Sequence, residues 1–222
     1  MPFRDRIEAG HQLAKALAGY KHQHPVVLAL PRGGVPVAAE VATELDAPLD
    51  LVLVRKIGVP FQPELAMGAV VDGRDPIVVR NEHVITLAGI SEEDFADMRD
   101  RELAEIERRR KLYLGDRPHP ELKGHVVIVI DDGIATGATT RAALRAIRMR
   151  EPHRLVLAVP VAPTSSLAEL RDDADEIVCL EDYEQFGAIG YYYEDFRQIS
   201  DAQVIELLAR HPVKSGTPER AH

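Results

Sequence analysis

Residues 126–140, VVIVIDDGIATGATT, constrain this chain more than any other stretch. Five β-branched residues in a row, Val126, Val127, Ile128, Val129 and Ile130, stop at two adjacent carboxylates, Asp131 and Asp132. A loop of small residues follows, Gly133-Ile134-Ala135-Thr136-Gly137-Ala138-Thr139, and then a helix-forming run from Thr140 to Arg150. An unbroken run of this kind fits a strand buried on both faces, so the reading is buried strand, loop, helix. Such a loop aims several backbone N–H groups and the positive end of a helix dipole at one point, which suits a phosphate. The two carboxylates cannot hold phosphate themselves, but they suit hydroxyls or a metal beside it. Donors for a phosphate next to acceptors for hydroxyls are what a sugar phosphate needs.

Spacing excludes two other phosphate loops. A Walker A loop requires GxxxxGK[ST], and no Lys lies between Asp131 and Arg150. A dinucleotide loop requires GxGxxG, whereas Gly133 and Gly137 have three residues between them. What the stretch resembles is the signature of the type I phosphoribosyltransferases: a hydrophobic strand, two acids, and a loop ending in Thr-Gly-x-Thr. IVIDDGIATGAT fills that pattern without a gap. The resemblance implies an α/β fold, with a central, mostly parallel sheet flanked by helices and a small hood subdomain. It implies a substrate, 5-phosphoribosyl 1-pyrophosphate (PRPP), used together with Mg²⁺.

The resemblance also distributes roles. Ala135, Thr136, Gly137, Ala138 and Thr139 would bind the 5-phosphate. Asp131 and Asp132 would hold the ribose hydroxyls, favour positive charge on the reacting sugar, and meet Mg²⁺ indirectly through those hydroxyls or water. Upstream, the apolar run Val26–Leu30 enters Pro31-Arg32-Gly33-Gly34, where paired glycines free the backbone and Arg32 offers a fork for phosphate oxygens. Arg32, Gly33 and Gly34 would therefore take pyrophosphate. A third strand, Leu49–Val54, runs into Arg55-Lys56, two further pyrophosphate candidates, although a solvated basic pair reads almost as well. The Gly/Pro-rich continuation Ile57–Pro63 reads as a mobile loop. Asp132→Asn is expected to leave folding intact and to weaken PRPP handling.

Acceptor identity is only narrowed. Relatives acting on 6-oxopurines carry an acid where this chain has Ala135, which disfavours hypoxanthine and guanine and leaves other bases or amines open. Tyr183, Phe186, Tyr191, Tyr192, Tyr193 and Phe196 cluster near the C-terminal end; Phe186 and then Tyr191 are the base-stacking candidates, against the commoner reading of a packing layer or a dimer contact. Pro31–Gly34, Pro63–Val70 and Tyr193–Phe196 also resemble a bacterial group of predicted phosphoribosyltransferases of unassigned substrate. Some proteins of this fold bind PRPP as a signal without turnover, and that alternative keeps the same site.

Charge and length bound the rest. With 27 basic against 36 acidic side chains the net charge is −9, so a phosphate site must be built locally and nucleic acid is an unfavoured partner. The lone cysteine, Cys179, lies in the apolar run Ile177–Leu180 and reads as core in a reducing, cytoplasmic setting, with no membrane span. One domain over 1–210 is expected, with a disordered tail from His211 and, by analogy with the family, a homodimer. Amphipathic helices are expected over Phe3–Leu17, Ser165–Arg171 and Ser200–Arg210, and a long helix capped by Ser91 over Ser91–Leu112; its basic end, Arg108–Lys111, could contact a phosphate or a partner, but a solvated helix end is the better reading. Strands are expected at Leu155–Val161 and Ile177–Leu180. A hairpin is expected around Asp72-Gly73-Arg74-Asp75.

Overall fold

The structure, a computed structural model, describes residues 2–72 and 76–213. Five parallel strands form the main sheet: β1 (Val26–Ala29), β2 (Leu49–Leu51), β6 (Val126–Ile130), β7 (Arg154–Pro163) and β8 (Glu176–Tyr183), in the spatial order β2-β1-β6-β7-β8. Every residue of β1 and β6 is buried, as unbroken apolar runs at the middle of a two-faced sheet require. Helices α1 (Arg6–Ala16), α2 (Gly34–Leu45) and α7 (Asp201–Ala209) cover one face, where Leu13, Val41, Val204 and Leu208 join Val27 and Ile128. Helices α5 (Ala138–Arg148) and α6 (Thr164–Leu170) cover the other, with Leu144 and Leu170 against Val127 and Val129.

The chain leaves β1 through α2 toward β2, and leaves β6 through α5 toward β7, so the direction of winding reverses between β1 and β6. That switch point opens a crevice at the strands' carboxyl ends. A second, antiparallel sheet covers it, in the order β3-β4-β5: β3 (Val54–Val59), β4 (Gln62–Val71) and β5 (Ile77–Arg80). The short α3 (Glu82–Leu87) and the long α4 (Glu92–Tyr113) follow it. Ser91 caps α4 as expected, accepting the Asp94 N–H at 3.0 Å.

Three expectations change. The run Leu49–Val54 is two strands in two sheets: β2 ends at Leu51, and Arg55 and Lys56 lie inside β3. The stretch read as a mobile loop is a β3–β4 hairpin pairing Val59 with Gln62, because glycine and proline here mark register irregularities and the tip. Phe3 is outside α1, in a parallel bridge to Tyr193, and Ile7 is 47% exposed. Of the expected tail, His211–Val213 are placed and the carbonyl of His211 accepts from Arg117, while residues 214–222 lie outside the described residues. β4 and β5 pair as the hairpin reading expects, with the turn residues 73–75 outside the described residues. No helix among the described residues is long and apolar enough to cross a membrane.

Candidate active site

At the crevice, the backbone arranges the acids first. β6 ends at Ile130, whose carbonyl accepts the Leu30 N–H at 2.9 Å, so the two acids and the Pro31–Gly34 loop leave adjacent strands side by side. The Pro31–Arg32 peptide is cis. Contact between the loops is tight. A Cβ on Gly33 would sit 2.1 Å from Oδ2 of Asp132, and one on Gly34 would sit 2.8 Å from Cα of Asp131. These glycines are therefore required by the acids next to them and not by unusual angles, since Gly33 has φ −61° and ψ −40°. The Gly34 N–H is spent on the Leu30 carbonyl at 3.1 Å, which removes it from the expected pyrophosphate donors.

The two acids are not equivalent. Asp132 is buried and receives the Nε–H of Arg6 on Oδ2 at 2.7 Å; its own N–H donates to Oδ1 of Asp131 at 2.9 Å. Asp131 instead lines a small cleft of about 60 Å³ together with Leu30, Pro31, Val52, Leu53, Val54, Arg55, Arg109 and Thr139. Desolvation, then the neighbouring Asp132 charge, push the Asp131 carboxyl well above the usual range. A carboxylate in that position gains from any cation that joins it. Among the described residues no three His, Cys, Asp or Glu side chains form a metal cluster, so a cation here would draw most of its ligands from substrate and water.

The loop that follows ends at a helix N-terminus. Gly137 adopts φ +71° as the N-cap of α5, and no side chain caps the helix, so its first-turn amides face outward. Ala135, Thr136, Ala138 and Thr139 are exposed around it. Ser166 Oγ holds the Ala135 carbonyl at 2.8 Å, and the Ile134 N–H bonds to the Val161 carbonyl at 3.0 Å, which fixes the loop's path.

The expected cations separate. Arg55 reaches the cleft, braced by Glu102 at 2.7 Å. Lys56, next along the strand, takes the opposite face and is exposed. Arg32 Nη1 contacts Asp201 at 3.3 Å, the same carboxylate oxygen that takes the Tyr113 hydroxyl at 2.6 Å, so it is held by α7 and α4. Arg109, in the basic helix end read above as solvated with a phosphate or partner contact as the alternative, lines the cleft from α4, with Glu105 at 2.8 Å. Arg6 escaped the sequence reading because a charged residue on an amphipathic helix looks solvated; only the fold brings it to Asp132.

The aromatic cluster packs beside this loop. Phe186 stacks on Tyr192 (centroids 4.8 Å apart, planes at 18°), and Tyr192 also meets Tyr183 at 4.6 Å. Tyr191 is 79% exposed. Ile189 lies over Gly133, 2.7 Å from where its Cβ would be, and the Tyr193 hydroxyl donates to the Asp132 carbonyl at 2.6 Å. Cys179 is half-buried, and burial pushes its thiol up to about 11, which disarms it as a nucleophile. A larger cavity of about 730 Å³, between His24, Pro48, His125 and His211, opens at the strands' opposite, amino ends and touches none of these groups.

Comparison with known proteins fits this geometry. A family model described as "Phosphoribosyl transferase domain" matches residues 4–195. Two strains of Mycobacterium tuberculosis carry a protein with a provisional phosphoribosyl transferase name (MT0597, Rv0571c), 44% identical over 208 residues, which are 94% of this chain and 46% of theirs. The chain thus spans about half the length of those relatives. The crystal structure of TT1426 from Thermus thermophilus superimposes with a TM-score of 0.79 at 41% identity, covering 96% of this chain and 100% of that one.

Proposed function

The chain belongs to the phosphoribosyl transferase domain family, and on that premise we propose that it transfers the 5-phosphoribosyl group of PRPP, with Mg²⁺, to a nitrogen nucleophile and releases pyrophosphate. The observation that carries the reading is the convergence of Asp131, Thr139, Arg55 and Arg109 on one cleft beside the uncapped start of α5. The 5-phosphate sits on the amides and hydroxyls of Ala135–Thr139, where helix N-terminus and donors coincide. Asp131 accepts from the ribose hydroxyls, and its negative charge stabilises the sugar as positive charge develops on it. Asp131 would hold Mg²⁺ mostly through substrate and water oxygens, and the ion would supply charge neutralisation for the leaving group. Arg55 and Arg109 meet the departing pyrophosphate from the covering layer.

The acceptor approaches from the aromatic side. Phe186, backed by Tyr192, is the proposed platform for a base, with Tyr191 second. An acceptor nitrogen forms its bond to the anomeric carbon as the bond to pyrophosphate oxygen breaks. Phosphorus NMR of the protein with PRPP and Mg²⁺, against a panel of nucleobases, ammonia and small amines, tests this. Acceptor-dependent release of pyrophosphate is the expected result. PRPP that binds and is never consumed would replace transfer by sensing, and PRPP binding indifferent to chelator would remove the metal.

A further inference from the structure

We propose that Arg6 is a positioning residue that, with Tyr193, clamps Asp132 at two points and so reserves the crevice for Asp131. The inference rests on the PRPP reading above. Arg6 is 8% exposed and Asp132 7%, and their contact at 2.7 Å joins residues 126 positions apart. The guanidinium is fixed on its other sides: Nη1 donates to the Arg197 carbonyl at 3.0 Å, and its central carbon lies 3.8 Å from the centre of the Phe196 ring. Tyr193 takes the carbonyl of the same aspartate with its hydroxyl at 2.6 Å. The carboxylate and the carbonyl of Asp132 are thus held from opposite ends of the chain.

A buried ion pair is a poor stabiliser compared with apolar packing, so its retention here points to geometry. Without Arg6, a desolvated carboxylate would lie against Asp131 with no counter-charge. Gly33, with no room even for a Cβ beside Asp132, closes the other side. The free direction is then the crevice, where a displaced Asp132 would occupy the space that Asp131 shares with Thr139, Arg55 and Arg109. Arg6 is not among the residues that line the cleft, and it bonds to Asp132 rather than to them. It acts on substrate at one remove.

The test is calorimetric titration of the full chain with PRPP and Mg²⁺, alongside thermal melting, for the wild type, Arg6→Gln, Arg6→Lys and Tyr193→Phe. Arg6→Gln is expected to raise the PRPP Kd by at least about tenfold, because the clamp's charge is lost. Arg6→Lys keeps that charge and should stay within about threefold of the wild type, even though losing the planar fork lowers its Tm. That separation of binding from stability is what a merely structural arginine would not give. If Arg6→Gln bound PRPP like the wild type, or Arg6→Lys lost binding as fully as Arg6→Gln, the clamp would be wrong. Should Arg6→Gln fail to fold, Tyr193→Phe decides: removing one hydroxyl should weaken PRPP binding by about threefold, and unchanged binding would overturn the proposal. A wild type that does not bind PRPP at all would bring down the PRPP reading, and this inference with it; variants that match a binding wild type would bring down this inference alone.

Discussion

The two sheets differ in nearly every respect that matters to the crevice between them. The parallel sheet is buried throughout its centre, and it delivers carboxylates and backbone amides, at Asp131 and along the loop to α5. The antiparallel sheet is a thin layer with partly exposed strands, ending in a hairpin tip where Phe61 is 93% exposed. With α4 it delivers arginines, Arg55 and Arg109. Carboxylates and amides come from one layer and these arginines from the other. A ligand that needs both sets would meet them only while the layers are docked. They dock through shared apolar clusters: Ile57, Met67 and Phe95 pack into the same core as Val27 and Ile128, and Val71 and Ile77 into that of Val129.

The most severe way to break this arrangement is Phe95→Ala. Phe95 is 2% exposed under the small sheet, with the Arg80 guanidinium 4.3 Å from its ring centre. Its loss should cost about 4 kcal/mol, and because the layers share a core, melting should stay a single transition at lower temperature. Two separated transitions would mean the layers fold independently. Next is Asp132→Asn on the parallel side. From the sequence this change is expected to leave folding intact, but the structure puts buried Arg6 against that carboxylate, so urea unfolding should reveal a loss of about 3 kcal/mol. Gly33→Ala should cost about 2 kcal/mol by forcing the two loops apart, with PRPP affinity falling more than stability does.

The smallest effect lies where the chain returns from the small sheet to the large one. His119 Nδ1 lies 2.7 Å from Oδ2 of buried Asp50 on β2, and that bond raises the His119 pKa against the opposing effect of desolvation. A raised histidine pKa contributes stability in full below the unfolded value near 6.5, and the contribution fades as pH rises through the folded value. The wild type should therefore exceed His119→Gln by about 1 kcal/mol in mildly acid buffer, with the gap closing in alkaline buffer. A gap that grew with pH would place the charge elsewhere.

What could be read in advance follows the same division. β6, β7, α5 and the acid loop were legible because burial on both faces leaves an unbroken apolar record, and the strand–acids–loop order resembles a known signature. β3 was not. Its residues alternate between buried, half-buried and exposed, and Gly58 and Pro60 resemble the punctuation of a loop although they serve a hairpin's bulge and tip. Arg6 was illegible for a related reason: a charged residue on a helix carries no local mark of turning inward, and its partner Asp132 lies 126 positions away. Arg109 could be read only as part of a basic helix end, because its i,i+4 pairing with Glu105 looks the same on a solvated face. Arg32 was legible as a loop cation, but its contact with Asp201 was not, since that residue comes from a helix near the other end of the chain.

Because Asp132 is gripped by Arg6 from one end of the chain and by Tyr193 from the other, the order of synthesis matters. A nascent polypeptide on the ribosome already has the strand, the acid pair and the loop that follows them when residue 140 emerges. It lacks the parallel bridge from Phe3 to Tyr193 and the aromatic shelf beneath Arg6 until some fifty residues later. A chain of that length would thus carry the acid pair and both glycine loops while Asp132 still had one of its two holds missing. Competence is the last thing such a chain acquires.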